Sequence, residues 1–335
     1  MQPSRDYSEQ TGIGKPVAHG LYQQGCSINP KIKTRLPMLN KLIVGGLLVA
    51  SLVAVSVLSA QQRPALTAEQ EARLQIQPVP GKPGLFIIPG FDGNMSGGNM
   101  AVRVTDEGVI LVDNKFADSF AGIMQQVRKL TDAPIRYVLN THSHFDHAGS
   151  NADFMPAAQV IGHENARANM LRNGDAGPPS VTYDGRTAVF MGDAEVQAHY
   201  FGRGHTSGDS VVYFPDLRTV HTGDLVLWGD RMDGTTLTPF IDYANGGSAL
   251  AWTTTLDGLL TLDFDTVIPG HGPLLTRADV LEFQDKFSRM MMRMTRLIDA
   301  GTSRDAIVTA IDLTDLNWPM APERLQAIYD EIYSR

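Results

Sequence analysis

The feature of this sequence that most constrains its fold is a cluster of metal-binding residue types in the segment THSHFDHAGS, residues 141–150. The chain has 335 residues and only nine histidines, yet three histidines and Asp146 lie within six positions here. Neighbouring imidazoles repel one another when they are protonated, whereas a divalent metal ion binds neutral imidazole nitrogens and carboxylate oxygens together. We therefore interpret the cluster as part of a metal site.

Three further segments carry the same residue types. GRGHTSGD places His205 in a glycine-rich turn, HTGDLV places Asp224 at a turn, and IPGHGP places His271 after a predicted strand. Glycine beside each of them permits the sharp turn that aims a side chain inward. Seven candidate ligands are too many for one tetrahedral zinc ion, and they suit two ions that share a carboxylate. The candidate metal ligands are His142, His144, Asp146, His147, His205, Asp224 and His271.

Strand and helix patterns alternate along the rest of the chain. GLFIIPG and NMAVRVTDEGVILVDN predict three strands, FADSFAGIMQQVRKL a helix, and PIRYVLNTH a buried strand that ends at the histidine cluster. A second β-rich run, from TAVF to TVHTGDLVLW, is followed by three helical segments. The pattern predicts an α/β fold, a four-layer αββα sandwich of two mixed β-sheets with helices on the outer faces.

The first sixty residues differ from the rest. An apolar run at residues 42–58 follows several basic residues and ends in small residues, as in a secretory signal cleaved near Ala60. An uncleaved membrane anchor is the alternative, and in either case the remainder is exported, with a periplasmic location expected. The predicted organisation is a disordered or over-extended start (1–37), a signal peptide or anchor (38–60), a linker (61–83) and a catalytic domain with C-terminal helices (84–335).

Composition narrows the partners of the exported part. The only cysteine is Cys26, so beyond residue 60 there is neither a disulfide nor a cysteine metal ligand. Those residues carry 22 basic and 34 acidic side chains, a net charge of −12. Nucleic-acid binding is disfavoured, because phosphate contacts need clustered lysine and arginine. We expect a small-molecule substrate, and membrane contact only through the N-terminal segment if it is uncleaved.

The order of the candidate ligands resembles that of the metallo-β-lactamase superfamily, over about Gly84–Arg277. The resemblance rests on His142-x-His144-x-Asp146-His147 followed by Gly-His205, Gly-Asp224 and Pro-Gly-His271. The αββα sandwich is the fold of that family. The resemblance implies two Zn²⁺, with iron or manganese as alternative metals. It assigns ligands as follows: His142, His144 and His205 to the first ion, Asp146, His147 and His271 to the second, and Asp224 to both.

The resemblance also implies a reaction. A hydroxide shared by the two ions would attack a carbonyl, and Asp146 would orient it and pass a proton to the leaving group. This describes a dinuclear zinc hydrolase that opens an ester, lactone, thioester or amide bond, with β-lactams among the candidate substrates. Three alternatives stay open: a β-lactamase proper, an oxidoreductase resembling the mononuclear-iron persulfide dioxygenases, and a metal-binding module without catalysis.

Differences from the ligand sets of known subgroups indicate which branch of the superfamily the chain resembles most. Since no cysteine follows Cys26, the β-lactamases with a cysteine ligand are excluded. Another lactamase subgroup shares five histidines and one aspartate but is not expected to use a bridging aspartate. Asp224 therefore makes the site more similar to the glyoxalase II and lactonase branches.

Two loops are candidates for substrate binding. The glycine-rich segment 89–100 has Phe91 and Met95 and resembles a flap over the metals. The segment 228–247 has Trp228, Phe240 and Tyr243, which we expect to form an apolar pocket wall.

The remaining candidate residues favour structural roles. His163, His199 and His221 lie on predicted strands and are expected to be satisfied locally, with His221 close enough to Asp224 to orient it. Lys115 and Arg203 could meet a substrate carboxylate, but isolated cations are usually solvated, and we expect that role for both. The methionines at 290–292 and Met294 lie on a predicted helix, where core packing is their usual role.

Overall fold

The computed structural model describes residues 74–90, 97–230 and 234–335. The predicted signal segment and disordered start, and the flap residues Phe91 and Met95, lie outside these ranges. Within them, no helix is both long and apolar enough to cross a membrane.

The first sheet has seven strands that follow one another in chain order. β1 to β4 pair antiparallel, and β4 to β7 pair parallel. Its strands are β1 (Gln77–Pro78), β2 (Leu85–Ile88), β3 (Met100–Val104), β4 (Val109–Val112), β5 (Ile135–Leu139), β6 (Gln159–His163) and β7 (Val181–Tyr183).

The second sheet has six strands, again neighbours in chain order. Only β11 and β12 pair parallel, and the other pairs are antiparallel. Its strands are β8 (Arg186–Met191), β9 (Ala194–His199), β10 (Val211–Phe214), β11 (Thr219–Leu227), β12 (Thr266–His271) and β13 (Leu275–Thr276).

Eight α-helices lie in the described part of the chain. The first four follow strands of the first sheet, the fifth lies between β11 and β12, and the last three follow β13. They are α1 (Phe120–Arg128), α2 (Phe145–Ala148), α3 (Asn151–Phe154), α4 (Glu164–Asn173), α5 (Ala249–Leu259), α6 (Arg277–Asp299), α7 (Ile307–Ala310) and α8 (Pro322–Tyr333).

Three apolar clusters show how these elements are layered. One cluster joins the inner faces of the two sheets and includes Val112, Val196 and Phe214. A second packs the outer face of the first sheet against α1 and α3, with contributions such as Ile123 and Phe154. The third packs the second sheet against α5, α6 and α8. Two sheets between outer helices confirm the predicted αββα sandwich.

The structure differs from the expected linker at residues 61–83. Leu74 and Val79 are buried, and β1 pairs with β2, so the end of this segment belongs to the first sheet. Because the segment is rich in glutamine and proline, its composition did not predict that Leu74 and Val79 pack in the core. Met290 and Met294 are fully buried on α6, as expected for core packing, whereas Met292 is 50% exposed.

The C-terminal helix α8 is attached to α5 through one carboxylate. Glu331 Oε2 accepts hydrogen bonds from the backbone N–H of Ala249, at 2.9 Å, and from the hydroxyl of Tyr243, at 3.0 Å. The hydroxyl of Ser248 donates to the other oxygen, Oε1. Glu331 therefore satisfies a free N–H at the start of α5 from a distant part of the chain.

We expect Glu331→Ala to lower the free energy of unfolding by about 1–3 kcal/mol, because it leaves the Ala249 N–H and the Tyr243 hydroxyl without their acceptor. Urea denaturation of both proteins measures the difference. Glu323→Ala is the matched control, since Glu323 is exposed on the same helix, and it should change stability by less than about 0.5 kcal/mol. Equal effects of the two substitutions would contradict the assigned role of Glu331.

Candidate metal centre

The seven candidate ligands come from four parts of the sandwich. His142 and His144 follow β5, and Asp146 and His147 lie on the single-turn helix α2. His205 lies in the loop between β9 and β10, Asp224 within β11, and His271 at the end of β12. These side chains thus lie in buried strands or in the segments next to them, which a rigid scaffold holds in place.

Two glycines let these segments approach one another. Gly223 has φ +50°, and a Cβ atom there would lie 2.5 Å from the hydroxyl oxygen of Thr141. At Gly270 a Cβ would lie 1.8 Å from Oδ1 of Asp224. A larger residue would displace Thr141, next to His142, in the first case and Asp224 in the second, so the close approach of the chain to itself requires glycine at both positions.

The structure brings all seven candidate ligands together in two neighbouring groups. Within each group, the ligand atoms lie within 4.8 Å of one another. Nδ1 of His144 is 2.9 Å from Nε2 of His205, and Nε2 of His147 is 3.3 Å from Nε2 of His271. The first group is His142, His144, His205 and Asp224, and the second is Asp146, His147 and His271.

Asp224 faces both groups with different oxygens. Its Oδ2 lies 3.6 Å from Nε2 of His205 in the first group. Its Oδ1 lies 3.2 Å from Nε2 of His147 and 3.6 Å from Nε2 of His271 in the second. A carboxylate placed in this way can bind two ions, one through each oxygen.

The polar atoms at the centre fit metal ions. Among the described residues, Nε2 of His142 and Oδ1 of Asp224 are buried without a hydrogen-bond partner, although His147 approaches the latter at 3.2 Å. A buried polar atom left unsatisfied costs about 1–3 kcal/mol, so such atoms call for an explanation. Imidazole nitrogens and carboxylate oxygens that point at one another are the donor set of a zinc or iron site.

Each histidine of the two groups is held by its outer ring nitrogen. These contacts fix the ring orientation and the tautomer, leaving the inner nitrogen for a metal. The pairs are His142 Nδ1 with Thr141 Oγ1 (3.0 Å), His144 Nε2 with Asp242 Oδ2 (2.7 Å), His147 Nδ1 with Asp113 Oδ2 (2.8 Å), His205 Nδ1 with Phe240 O (2.6 Å) and His271 Nδ1 with Gly90 O (3.3 Å).

Sequence reasoning missed the two carboxylates among these partners. Asp113 follows the buried strand β4, a position that could have identified it, because polar residues directly after buried strands often serve a site. Asp242 lies 98 residues from His144 in the chain, and no local pattern connects them. Only the packing of the 234–242 loop against the His144 segment brings them together.

Burial lowers the pKa of two of the histidines, His142 and His205. Burial, together with the neighbouring imidazoles, lowers the pKa of His142 well below its ordinary value. The same causes lower the pKa of His205 to about 4. Both rings are therefore neutral at pH 7, which is the form that binds a metal ion.

The other electrostatic effects come from the carboxylates. Burial alone would lower the pKa of His147, but Asp146, Asp224 and Asp113 outweigh it and raise the pKa well above the ordinary value. For His144, burial is likewise outweighed, mainly by the hydrogen bond to Asp242, and the pKa is raised. Burial would raise the pKa of Asp224, but the surrounding imidazoles hold it well below its usual range.

The histidines outside the two groups are satisfied locally. The fully buried His221 donates from Nε2 to the backbone oxygen of Asn99, at 3.1 Å, and its Nδ1 accepts from the N–H of Gly223, at 3.2 Å. It thus holds the residue before Asp224 in place. His163 contacts the backbone oxygen of Asp184 at 2.8 Å, and His199 contacts the amide oxygen of Gln197 at 2.7 Å.

Arg203 is exposed, as expected, but the prediction that Lys115 is solvated is wrong. Lys115 is fully buried, and its Nζ donates to the backbone oxygens of Pro89, at 2.9 Å, and Gly98, at 2.7 Å. A lysine can be buried when its ammonium is hydrogen-bonded in this way. It joins the two described ends of the segment predicted to be a flap.

A cavity of about 910 Å³ opens onto the two groups. His144, Asp146, Asp224 and His271 line it, together with aromatic side chains that include Phe240. Trp228 and Tyr243 are not among the lining residues, contrary to the expected pocket wall. The Trp228 ring packs on the helical core beneath the Lys286 ammonium, and the Tyr243 hydroxyl points to Glu331.

Comparison with known proteins gives one family match. Residues 95–271 match the model of the metallo-beta-lactamase superfamily. The 2,4-dinitroanisole O-demethylase subunit alpha of Nocardioides sp. (strain JS1661) is 31% identical over 183 residues, which are 52% of this chain and 52% of that protein. A metallo-beta-lactamase type 2 of Elizabethkingia meningoseptica is 26% identical over 144 residues, or 43% of this chain and 58% of its own. The chain thus spans little more than half the length of these two relatives.

Solved structures show the same fold. A metallo-beta-lactamase from Pontibacter korlensis superimposes with a TM-score of 0.55 at 20% identity, covering 63% of this chain and 99% of that one. At this identity the likeness concerns the fold alone.

We expect Asp242→Asn to weaken zinc binding about 10- to 100-fold, because the neutral amide holds the His144 ring less firmly than the carboxylate does. Competition against a zinc chelator measures the affinity directly. Asp175→Asn is the matched control, since Asp175 lines the same cavity and has no described contact with a candidate ligand. Unchanged zinc affinity in Asp242→Asn would exclude a positioning role for this carboxylate.

Stability of the metal-free protein should depend on pH through His221. Burial lowers its pKa from 6.5 to about 4, so below pH 6.5 the unfolded chain takes up a proton that the folded chain does not. This contribution to stability is therefore lost as pH falls from 6.5 to about 4. Urea unfolding at several pH values should give a shallower decline for His221→Gln than for the unchanged protein. Parallel declines would contradict the assignment.

Proposed function

Because the chain belongs to the metallo-beta-lactamase superfamily, we propose that it is a dinuclear zinc hydrolase that opens a carbonyl bond in a small-molecule ester, lactone, thioester or amide. The observation that carries the proposal is the position of Asp224, whose two oxygens face two separate groups of imidazole nitrogens. A single ion would bind only one of these two groups of ligands.

The residues present fit two ions. His142, His144 and His205 would hold one, Asp146, His147 and His271 the other, and Asp224 would contact both. When bound, the two ions lower the pKa of water towards neutrality and polarise a carbonyl oxygen. The protein supplies the orientation of the ligands through the outer contacts of the five rings.

Asp146 is the side chain best placed to move a proton. It lines the cavity, and its Oδ2 lies 3.2 Å from Nε2 of His271. Burial would raise its pKa, but the charges of His147 and His271 outweigh burial and lower it. The carboxylate is therefore ionised at neutral pH, and in our proposal it accepts a proton from the attacking water and passes that proton to the leaving group.

The cavity wall suits an organic substrate with an apolar part. Phe240 stacks beside His144, with ring centroids 6.4 Å apart, and Phe145 is 68% exposed. These rings would cover a bound substrate on both sides of the candidate ligands and exclude water from the reacting group.

The aromatic wall also favours a second candidate reaction. One relative is named for the O-demethylation of 2,4-dinitroanisole, an aryl methyl ether. A cavity with Phe116, Phe145 and Phe240 in its wall can accept such a ring by stacking. Cleavage of an aryl ether is therefore the alternative to carbonyl hydrolysis.

Where the protein acts is also part of the proposal. We infer export, with a periplasmic location, from the signal-like segment at residues 38–60. An anchor formed by the same segment would place the sandwich on the outer side of the membrane.

Elemental analysis and turnover test the proposed function together. We expect about two zinc ions per chain and hydrolysis of at least one of three carbonyl compounds, an acyl lactone, a glutathione thioester and a chromogenic cephalosporin. Turnover of 2,4-dinitroanisole alone would favour ether cleavage instead. Asp224→Ala should remove zinc and abolish turnover, and Asp146→Asn should lower kcat by about 10²- to 10⁴-fold. His199→Ala is the matched control, because this histidine lies outside both groups.

Three outcomes would contradict the proposal. One iron per chain with sulfide-dependent oxygen uptake would assign the protein to oxidation. Two zinc ions without turnover of any compound would favour a binding module. Full activity in Asp224→Ala would show that the two groups are not the reaction centre.

A further inference from the structure

We propose that Asn99 is a positioning residue for the second group of candidate ligands, because its side-chain amide fixes the turn that carries His271. The inference rests on the proposed function, since it assigns Asn99 to the ion that Asp146, His147 and His271 would hold. Asn99 lies directly before β3 and is fully buried.

The amide nitrogen of Asn99 spans the turn around His271. It donates to the backbone oxygen of Pro269, at 2.8 Å, and to that of Gly272, at 3.0 Å. The first carbonyl lies two residues before His271, and the second belongs to the residue directly after it. One nitrogen therefore holds the chain on both sides of the ligand, and both of its hydrogens are used.

The amide oxygen of Asn99 acts on the His271 ring through Gly90. Oδ1 of Asn99 accepts from the backbone N–H of Gly90 at 2.7 Å, and the backbone oxygen of Gly90 lies 3.3 Å from Nδ1 of His271. A hydrogen bond at one ring nitrogen orients the ring and leaves the other nitrogen for a metal ion. Asn99 thus controls both the backbone that carries the ring and the acceptor that orients it.

Backbone hydrogen bonds hold Asn99 against two strands of the second sheet. Its N–H donates to the backbone oxygen of Gly270 at 2.7 Å, and its carbonyl oxygen accepts from Nε2 of His221 at 3.1 Å. Gly270 lies on β12, and His221 lies on β11. A side chain orients a ligand well when its own position is locked by such contacts.

The residue before Asn99 contacts the other two members of the second group. The backbone N–H of Gly98 donates to the backbone oxygen of Asp146 at 2.9 Å. A Cβ atom at Gly98 would lie 2.1 Å from Cε1 of His147, so the imidazole lies directly against this glycine. Residues 98–99 therefore contact all three members of the second group.

The first group is held by other residues. In the described part of the chain, no hydrogen bond joins residues 98–99 to His142, His144 or His205, whose outer nitrogens meet oxygens from other segments. A change at Asn99 should therefore act on one ion and leave the other in place. A role in general core stability would instead affect both ions equally.

The test compares Asn99→Asp with the unchanged protein. The substitution keeps the shape of the side chain, but it puts a carboxylate oxygen in place of the nitrogen, and this oxygen repels the carbonyls of Pro269 and Gly272. Zinc titration of the metal-free protein against a chelating indicator should give one affinity weakened about 10- to 100-fold and another changed by less than about threefold. Asn99→Ser, which removes the amide without adding a charge, should weaken the same ion.

Double variants identify the affected ion. If Asn99 acts through His271, Asn99→Asp should cause no further loss of zinc affinity in a His271→Ala background. In a His144→Ala background, which lacks a ligand of the first group, it should weaken the remaining ion about 10- to 100-fold.

Gln126→Glu is the matched control. It makes the same change from amide to carboxylate in a side chain of α1 that is 1% exposed and lies outside both groups. Both zinc affinities should be unchanged in this variant. Equal weakening of the two ions in Asn99→Asp, or retention of both, would overturn the proposal.

A measurement without metal or substrate separates this inference from the proposed function. In the metal-free protein, hydrogen–deuterium exchange should become faster in residues 266–276 of Asn99→Asp and stay unchanged in residues 199–210, around His205. If no compound is hydrolysed but the exchange and zinc differences are found, the proposed reaction fails and the positioning role of Asn99 stands. If a compound is hydrolysed and both differences are absent, the reaction stands and the positioning role fails.

Discussion

The carboxylate of Asp224 lies at a point where imidazole nitrogens from three segments of the chain converge, and this electrostatic arrangement constrains the rest of the structure. Its two oxygens face His205 on one side and His147 and His271 on the other. Several titratable groups are buried here, which is costly unless their charges are compensated. Opposite charges within the cluster provide part of the compensation, and Nε2 of His142 and Oδ1 of Asp224 have no hydrogen-bond partner among the described residues, as expected of atoms that bind a metal.

The scaffold around this centre controls the direction of each ring. Oxygen atoms of Thr141, Asp242, Asp113, Phe240 and Gly90 hold the outer nitrogens. Asp113 also accepts from the backbone N–H and the hydroxyl of Thr141, so one carboxylate supports both histidine groups. The centre is therefore preorganised by the protein, since contacts within the protein determine the orientation of each ring.

The C-terminal segment forms part of the cavity wall. Helix α8 reaches the cavity with Arg324, and Glu331 attaches the same helix to α5. The segment 95–271, which matches the family, contains all seven candidate ligands, whereas Pro319, Ala321 and Arg324 in the cavity wall come after it. The candidate metal ligands and part of the cavity wall therefore come from different parts of the chain.

The sequence by itself determined the αββα sandwich and the seven candidate ligands. Alternating apolar residues specify strands and their buried faces locally, and histidine, aspartate and glycine at close spacing are visible without a structure. Only the tertiary structure decided which residues far apart in the sequence meet. It pairs Asp242 with His144 and buries the Lys115 ammonium against two backbone carbonyls. It also places Arg324 over Phe240 and directs Trp228 and Tyr243 away from the cavity. The physical reason is that the partner of a buried charge or aromatic ring is chosen by three-dimensional packing, and neither spacing nor composition records that choice.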